Sequence, residues 1–260
     1  LSRKENLRKQ LREQLNKLFV QHPTLGHWGY TMIRVTQIDR SVQGTRPFLA
    51  QLQKRGLRAR SVLDVGANYG AWSHVAKSVF ANACFYLIEP QVEMKPFLDR
   101  FCAGTANAKW FLAGAGAEDG ELMLTTWDDF AGSSFLPGQN PPTDNQRQVP
   151  IVAVDSLIAR GDMTPPDLIK IDVQGFELEV LRGCQSCFGY TEMFIVEVSF
   201  FKTHPERPVF LDVANFMDEK GYVVYDFADL KHRPFDGALG QADVCFVKRE
   251  GIFRQHKRWY

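Results

Sequence analysis

VLDVGANYG, residues 62–70, is the stretch whose reading decides the fold. Val62, Leu63 and Val65 around Asp64 are β-prone and apolar enough for a strand buried on both faces. The chain then turns through Gly66, Ala67, Asn68 and Gly70. It enters GAWSHVAKSVF (70–80), where Trp72, Val75, Ala76 and Val79 recur on one helical face. Glycine in such a turn permits positive φ and lets a ligand approach the backbone with no Cβ in the way. A buried strand, a glycine turn and an amphipathic helix open an α/β sheet, whose ligands bind beyond the carboxyl ends of the strands.

Downstream, short apolar runs alternate with helical ones. ACFYLIEP (83–90) reads as a strand, and 91–101 as a helix in which Pro96 forces a kink or a late start. AKWFLAG (108–114) is a third strand, and GELMLTTW (120–127) extends the sheet or forms a small hairpin. Then come LIKIDV (168–173), a helix over 175–187, EMFIVEVSF (192–200), a helix over 207–220, GYVVYDF (221–227) and ADVCFVKR (242–249). Val/Ile/Leu-rich strands with crossover helices predict a parallel sheet covered on both faces. The last two strands are joined by DLKHRPFDGALGQ (229–241), too turn-rich for a crossover helix, so the final strand is expected to run antiparallel.

Two regions stand outside this rhythm. In residues 1–20, Leu7, Leu11, Leu15 and Leu18 form a helical stripe, and a second helix is expected over 46–55. Residues 1–58 therefore read as a helical cap, whose leucine stripe either docks on the main domain or seals a homodimer. The segment 128–148, rich in Gly, Pro and Ser, is longer than most connections in a packed core. With Trp127, Phe130 and Phe135 to lay down, it is expected to be a lid or substrate loop. Trp28 and Tyr30 add further aromatic surface for an acceptor cavity.

The 260 residues, 45% hydrophobic and 23% charged, suit one large globular domain or two small ones. No run approaches the roughly 18 apolar residues of a membrane helix, and no apolar targeting segment opens the sequence, so a cytoplasmic location is expected. The net charge of +1 is uneven: residues 1–17 and 248–258 each carry +4, leaving −7 on 18–247. A body of that sign is a poor nucleic-acid surface. Five cysteines make an odd, sparse set that favours free thiols; Cys184 and Cys187 have CxxC spacing but no partners that complete a zinc set.

The candidate chemistry sits at strand ends. Asp64, in the first turn, is the wrong partner for a pyrophosphate and suits a ligand carrying an ammonium group. Glu89, ending the second strand, can accept both hydroxyls of a ribose. Together they describe a nucleoside site with a cationic end, which S-adenosylmethionine fits and NAD, with its two phosphates, does not. Lys170 and Asp172 share one strand face and are expected to partner each other, a ligand, or both. Glu197 interrupts MFIVEVSF; Ser199, Lys202 and His204 follow, with His204 a general-base or substrate-contact candidate. Gln241 and Asp243 open the final strand beside the same cavity, whereas His74 reads as packing. Asp172, Glu197 and Asp243 are also oxygen ligands of the type Mg²⁺ accepts.

These pieces together resemble the FkbM family of S-adenosylmethionine-dependent methyltransferases. VLDVGANYG (62–70), LIEP (87–90), VDSLI (154–158), LIKIDVQGFELEVLRG (168–183), IVEVS (195–199) and QADVCFV (241–247) fall in the expected order, LIKIDVQGFE being the most specific. The resemblance implies a Rossmann-like class I methyltransferase domain over 59–260, with a seven-stranded sheet whose last strand is antiparallel. It implies methylation of hydroxyls on sugars, polyketides or other small metabolites. Asp64, Gly66, Asn68 and Gly70 would flank the methionine moiety, with Ala67 in the same loop, and Glu89 the ribose. Asp172 is the first candidate to orient the hydroxyl or take its proton, with Glu197 and His204 behind it. The family more often has Glu where this chain has Gln174. Competing readings are a nucleic-acid methyltransferase, an NAD-linked oxidoreductase and a non-catalytic S-adenosylmethionine-binding module.

Overall fold

A computed structural model describes residues 44–127, 130, 132–136 and 145–256. The expected leucine-striped helix, Trp28, Tyr30, and residues 128–129, 131 and 137–144 of the expected lid lie outside the described residues. So do the last residues of the basic C-terminal stretch.

In chain order the elements are α1 (Thr45–Lys54), β1 (Ser61–Val65), α2 (Ala71–Val79), β2 (Cys84–Glu89), α3 (Lys95–Ala103), β3 (Ala108–Leu112), β4 (Gly114–Ala115) and β5 (Gly120–Thr125). They continue with β6 (Gln146–Val152), α4 (Val154–Ala159), β7 (Leu168–Ile171), α5 (Glu177–Arg182), β8 (Met193–Ser199), α6 (Phe210–Glu219), β9 (Tyr222–His232) and β10 (Leu239–Lys248). The main sheet has seven strands in the order β3-β2-β1-β7-β8-β10-β9. β1, β2, β3, β7 and β8 pair in parallel, while β10 runs antiparallel to both β8 and β9. Strand order reverses between β1 and β7, which leaves a crevice beyond their carboxyl ends.

Side-chain alternation divides the core. Leu63, Val65, Ile169, Ile171 and Val196 face Val154, Leu157, Val180, Val213 and Met217 on one side. Val62, Phe85, Leu87, Ile195 and Cys245 face Phe48, Leu49, Leu52, Ala76, Leu98 and Phe101 on the other. α1 is thus part of the same core as the sheet. The second face is also where the polar residues lie. Asp64 alternates with Val62, Lys170 with Leu168, Glu197 with Ile195 and Asp243 with Cys245, so all four share it.

Register brings them together. Asp64 is opposite Lys170, and Glu197, Asp243 and Asp229 form one cross-strand row. Ser199, Gln241 and Lys231 form the next.

Some expected boundaries shift. β5 does not extend the main sheet; it pairs antiparallel with β6 in a separate three-stranded sheet of order β4-β6-β5, where Leu124, Val149 and Ile151 bury each other. β6 begins at Gln146, so the last residues of 128–148 are strand. The helix expected over 175–187 is shorter, ending at Arg182 and followed by a 3₁₀ turn at Gln185–Cys187. Pro96 falls in the first turn of α3, the late start it favours. Most of 229–241 is strand: β9 runs on to His232, and the turn closes through an Arg233 N–H to Ala238 carbonyl bond of 2.8 Å. No helix among the described residues is long and apolar enough to cross a membrane.

Candidate active site

The turn after β1 is held against its neighbours by close backbone approach. Gly66 has φ 78°, and its N–H donates to the Ile88 carbonyl at 3.0 Å. A Cβ on Gly66 would lie 1.9 Å from the Asp172 carbonyl oxygen, so only glycine lets the ends of β1 and β7 meet. Asn68, at φ 49°, is a non-glycine residue in the left-handed region that Asn tolerates best. Its side chain accepts the Tyr69 N–H at 2.8 Å and donates to the Phe130 carbonyl at 3.0 Å.

Asp64, Gly66, Ala67, Asn68 and Glu89 line one cleft of about 400 Å³, together with Asp172 and Gln174. Asp64 is buried and accepts a 2.6 Å hydrogen bond from Ser73 on α2. Burial raises its pKa to about 6, an effect the Ser73 bond and nearby Lys170 only partly offset. Glu89 is equally buried; its Oε2 accepts the Asn68 N–H at 2.7 Å, and its Oε1 accepts the Gln91 N–H and side-chain amide at 2.9 and 3.0 Å. Burial outweighs these bonds and raises Glu89 to about 7. One side of Oε2 stays available to a ligand hydroxyl, since a carboxylate oxygen accepts two bonds.

At the other end, the carboxylates are gathered around lysines. Lys170, buried, lies 3.1 Å from Asp243 and 3.5 Å from Asp172. Burial alone would depress its pKa, but Asp243, Asp172 and Glu197 together hold it above the ordinary lysine value. Lys231 contacts Glu197, which also accepts amide bonds from Gln174 at 2.7 Å and Gln241 at 2.8 Å. Asp172 is open to the cleft. Burial would raise it, yet Lys170 and Lys231 bring it down to about 2. Glu197, buried and beside Asp172, goes up to about 8 despite the lysines. The lysines thus favour the charged form of Asp172, while burial beside Asp172 disfavours that of Glu197.

Asp172, Glu197 and Asp243 each place an oxygen within 4.8 Å of the others, as a metal site would require. Two ammonium groups already supply the compensating charge, and Mg²⁺ would have to enter against them. The residues do not fit a divalent ion.

His204 is not brought to this cluster. Its Nδ1 accepts the Glu206 N–H at 3.1 Å, and it is absent from the cleft wall. Gly70 belongs to the turn without lining the cleft among the described residues; it caps α2 at φ 81°. His74 packs edge-on against Phe101.

Three groups were missed from the sequence. Lys231 and Asp229 both line the cleft but lie in a stretch that reads as a connection. Only the alternation Asp229–Lys231 hints at a strand continuing past Phe227. Gln91, which orders Glu89, follows Pro90 and carries no signal of its own.

A seven-stranded sheet in this order, with an antiparallel last pairing and a carboxylate-lined cleft at the switch point, is the class I methyltransferase architecture. The chain belongs to the methyltransferase FkbM domain family, which matches residues 64–224. Among curated proteins, it is 32% identical over 163 residues to the hexuronic acid methyltransferase AglP of Haloferax volcanii, covering 61% of this chain and 64% of that one. The chain thus spans just under two thirds of the length of this relative. Solved structures of similar shape include a precorrin-6y C5,15-methyltransferase from Geobacter metallireducens (14% identity, TM-score 0.45, covering 78% of this chain and 88% of that one). Another is the 1,6-didemethyltoxoflavin-N1-methyltransferase of Burkholderia thailandensis (12% identity, TM-score 0.42, 96% and 92% covered).

Proposed function

We propose that the protein transfers the methyl group of S-adenosylmethionine to a hydroxyl of a small-molecule acceptor, a sugar or similarly hydroxylated metabolite. The carrying observation is that Asp64, Glu89 and Asp172 all open on one cleft. Asp64 would meet the α-ammonium group and Glu89 the ribose, while Ile88, Trp72, Leu124 and Phe130 supply apolar surface for the base. S-adenosylmethionine brings an already activated methyl on a sulfonium. Domain 59–260 would carry the reaction, and 128–148 with the 1–58 region would shape the acceptor side. The relative named for hexuronic acid supports a sugar-like acceptor.

In this reading, Asp172 orients the acceptor hydroxyl in line with the methyl–sulfur bond, on the side of the methyl carbon away from the sulfur, and receives its proton as the O–C bond forms and the C–S bond breaks. A carboxylate of such low basicity suffices, because oxygen that has gained a methyl is a strongly acidic oxonium until it loses the proton. Glu197 is too buried to touch an acceptor; its oxygens are taken up by Lys231 and by the side-chain amides of Gln174 and Gln241.

The test supplies methyl-labelled donor with hexoses, uronic acids, polyols and hydroxylated polyketide fragments and locates the label by mass spectrometry and NMR. O-linked label that falls by about 10²-fold or more in Asp172→Asn, with donor Kd within a few-fold, supports the reading. Label on nitrogen or carbon, or undiminished turnover in Asp172→Asn, overturns it.

A further inference from the structure

We propose that Gln174 is a positioning residue that couples the docked strap 132–136 to the geometry of the Asp172–Glu197 pair. The inference rests on the assignment of Asp172 to the acceptor hydroxyl and adds a control over it.

Gln174 works in two directions at once. Its side-chain Nε2 donates to Asp172 Oδ1 at 2.8 Å and to Glu197 Oε2 at 2.7 Å, so both amide hydrogens join the two carboxylates. Its backbone carbonyl accepts the Ser134 hydroxyl at 2.7 Å and Arg207 Nη2 at 3.0 Å. The residue has φ 55°, left-handed backbone that a side chain with a Cβ rarely adopts unless its surroundings impose it. The two bonds to its carbonyl are those surroundings.

The strap is fastened beyond Gln174. Ser134 exchanges two backbone bonds of 3.0 Å with Thr125 on β5, and the Phe135 ring lies 5.3 Å from that of Phe176. Ser133 donates to Gln91 Oε1 at 2.9 Å, and Gln91 is the residue that orders Glu89. The strap therefore touches the ribose-side carboxylate through Gln91 and the acceptor-side pair through Gln174. Releasing Ser134 removes one of the two restraints on a strained peptide. When that peptide relaxes, the amide swings away and Asp172 loses a bond that fixes its direction.

Two substitutions separate the arms. Gln174→Gly keeps the carbonyl and accepts the backbone angle but removes the amide, whereas Ser134→Ala keeps the amide but removes the latch. Each is expected to lower kcat about tenfold, with acceptor KM changed less than kcat. The double variant should be no worse than the worse single, because both act through one group. Gln174→Asn, which favours positive φ but is one methylene too short to bridge, should match the glycine variant. Thermal unfolding reports whether each variant is folded.

Hydrogen exchange gives a readout independent of turnover: Ser134→Ala should speed exchange in the peptide covering 172–176, and Gln174→Gly in that covering 132–136. Multiplying kcat effects in the double variant, full kcat in Gln174→Gly, or wild-type exchange at 172–176 in Ser134→Ala overturns the coupling. Reciprocal exchange in a protein that methylates no hydroxyl would leave the coupling standing and remove the proposed reaction instead.

Discussion

Lowering the pH should weaken the donor site at Asp64 by an amount the structure sets. Burial holds this carboxyl at about 6, well above the ordinary aspartate range, so its charge is present above that pH and lost as pH falls through it. A ligand whose ammonium needs the carboxylate binds only the ionised fraction. That fraction is nearly complete at pH 7.5 and about one part in eleven at pH 5, so apparent affinity should fall about tenfold, or about 1.4 kcal/mol. Glu89, held at about 7 by its own burial, adds a second dependence on the ribose side. Two ligands separate the contributions: S-adenosylhomocysteine carries both the ribose and the ammonium, whereas methylthioadenosine carries only the ribose. Calorimetric Kd values for both at pH 7.5 and pH 5 should show the ratio of their affinities closing about tenfold on acidification. A ratio unchanged between the two pH values would refute the assignment of the ammonium to Asp64, however tightly either ligand binds.

Gly66→Ala places a Cβ against the Asp172 carbonyl at a positive φ. It should cost about 3 kcal/mol or more, read as a Tm lowered by roughly 6–12 °C. Lys170→Met leaves the buried Asp243 without its cation and Asp172 with only Lys231, and should lose about 3 kcal/mol at pH 7 by urea denaturation. The folded variant would then bind protons more readily than its unfolded chain, so the deficit should be smaller at pH 5 than at pH 7. Activity after exhaustive chelation should equal the untreated rate, since lysines hold the place a divalent ion would take; a loss restored by Mg²⁺ would contradict that account.

The parts of this site that were legible in the sequence are those where local pattern and tertiary role coincide. Asp64 and Glu89 end apolar strands next to a glycine turn, and a strand end in a parallel sheet is a ligand position wherever the helices lie. Asp172 and Glu197 could be picked out because a charge inside an apolar run needs a partner. The identity of that partner was only half visible. Lys170 was next to Asp172 in the strand, but Lys231 stands just before Pro234, Asp236 and Gly237, which make the whole stretch look like a turn. Its strand exists because β10 inserts between β8 and β9 and gives the extended hairpin a backbone to pair with, a long-range condition that no local propensity records. β6 was hidden in the same way: its residues are weakly apolar, and pairing with β5 is what makes them strand. Gln174 was noticed for its residue type, but its double bridge depends on a left-handed backbone that sequence does not announce.

The proposed chemistry also explains why charges of both signs belong in one half-buried cleft. Donor and Asp172 begin as a sulfonium and a carboxylate, and they end as a neutral thioether and a neutral acid. Opposite charges are consumed as the reaction proceeds, and such a reaction is favoured where water is excluded, because the reactants lose more solvation than the transition state does. In this reading the strap 132–136, whose Ser133 and Phe135 line the cleft, would keep water out of it. The same exclusion of water, however, penalises an isolated Asp172 carboxylate before any donor arrives, and it would protonate and lose its use as an acceptor of hydrogen bonds from the hydroxyl. Lys170 and Lys231 prevent that by favouring the charged form of Asp172. The lysines thus allow the carboxylate to be charged in a dry site, and the acidity of the oxonium allows so weak a base to take the proton.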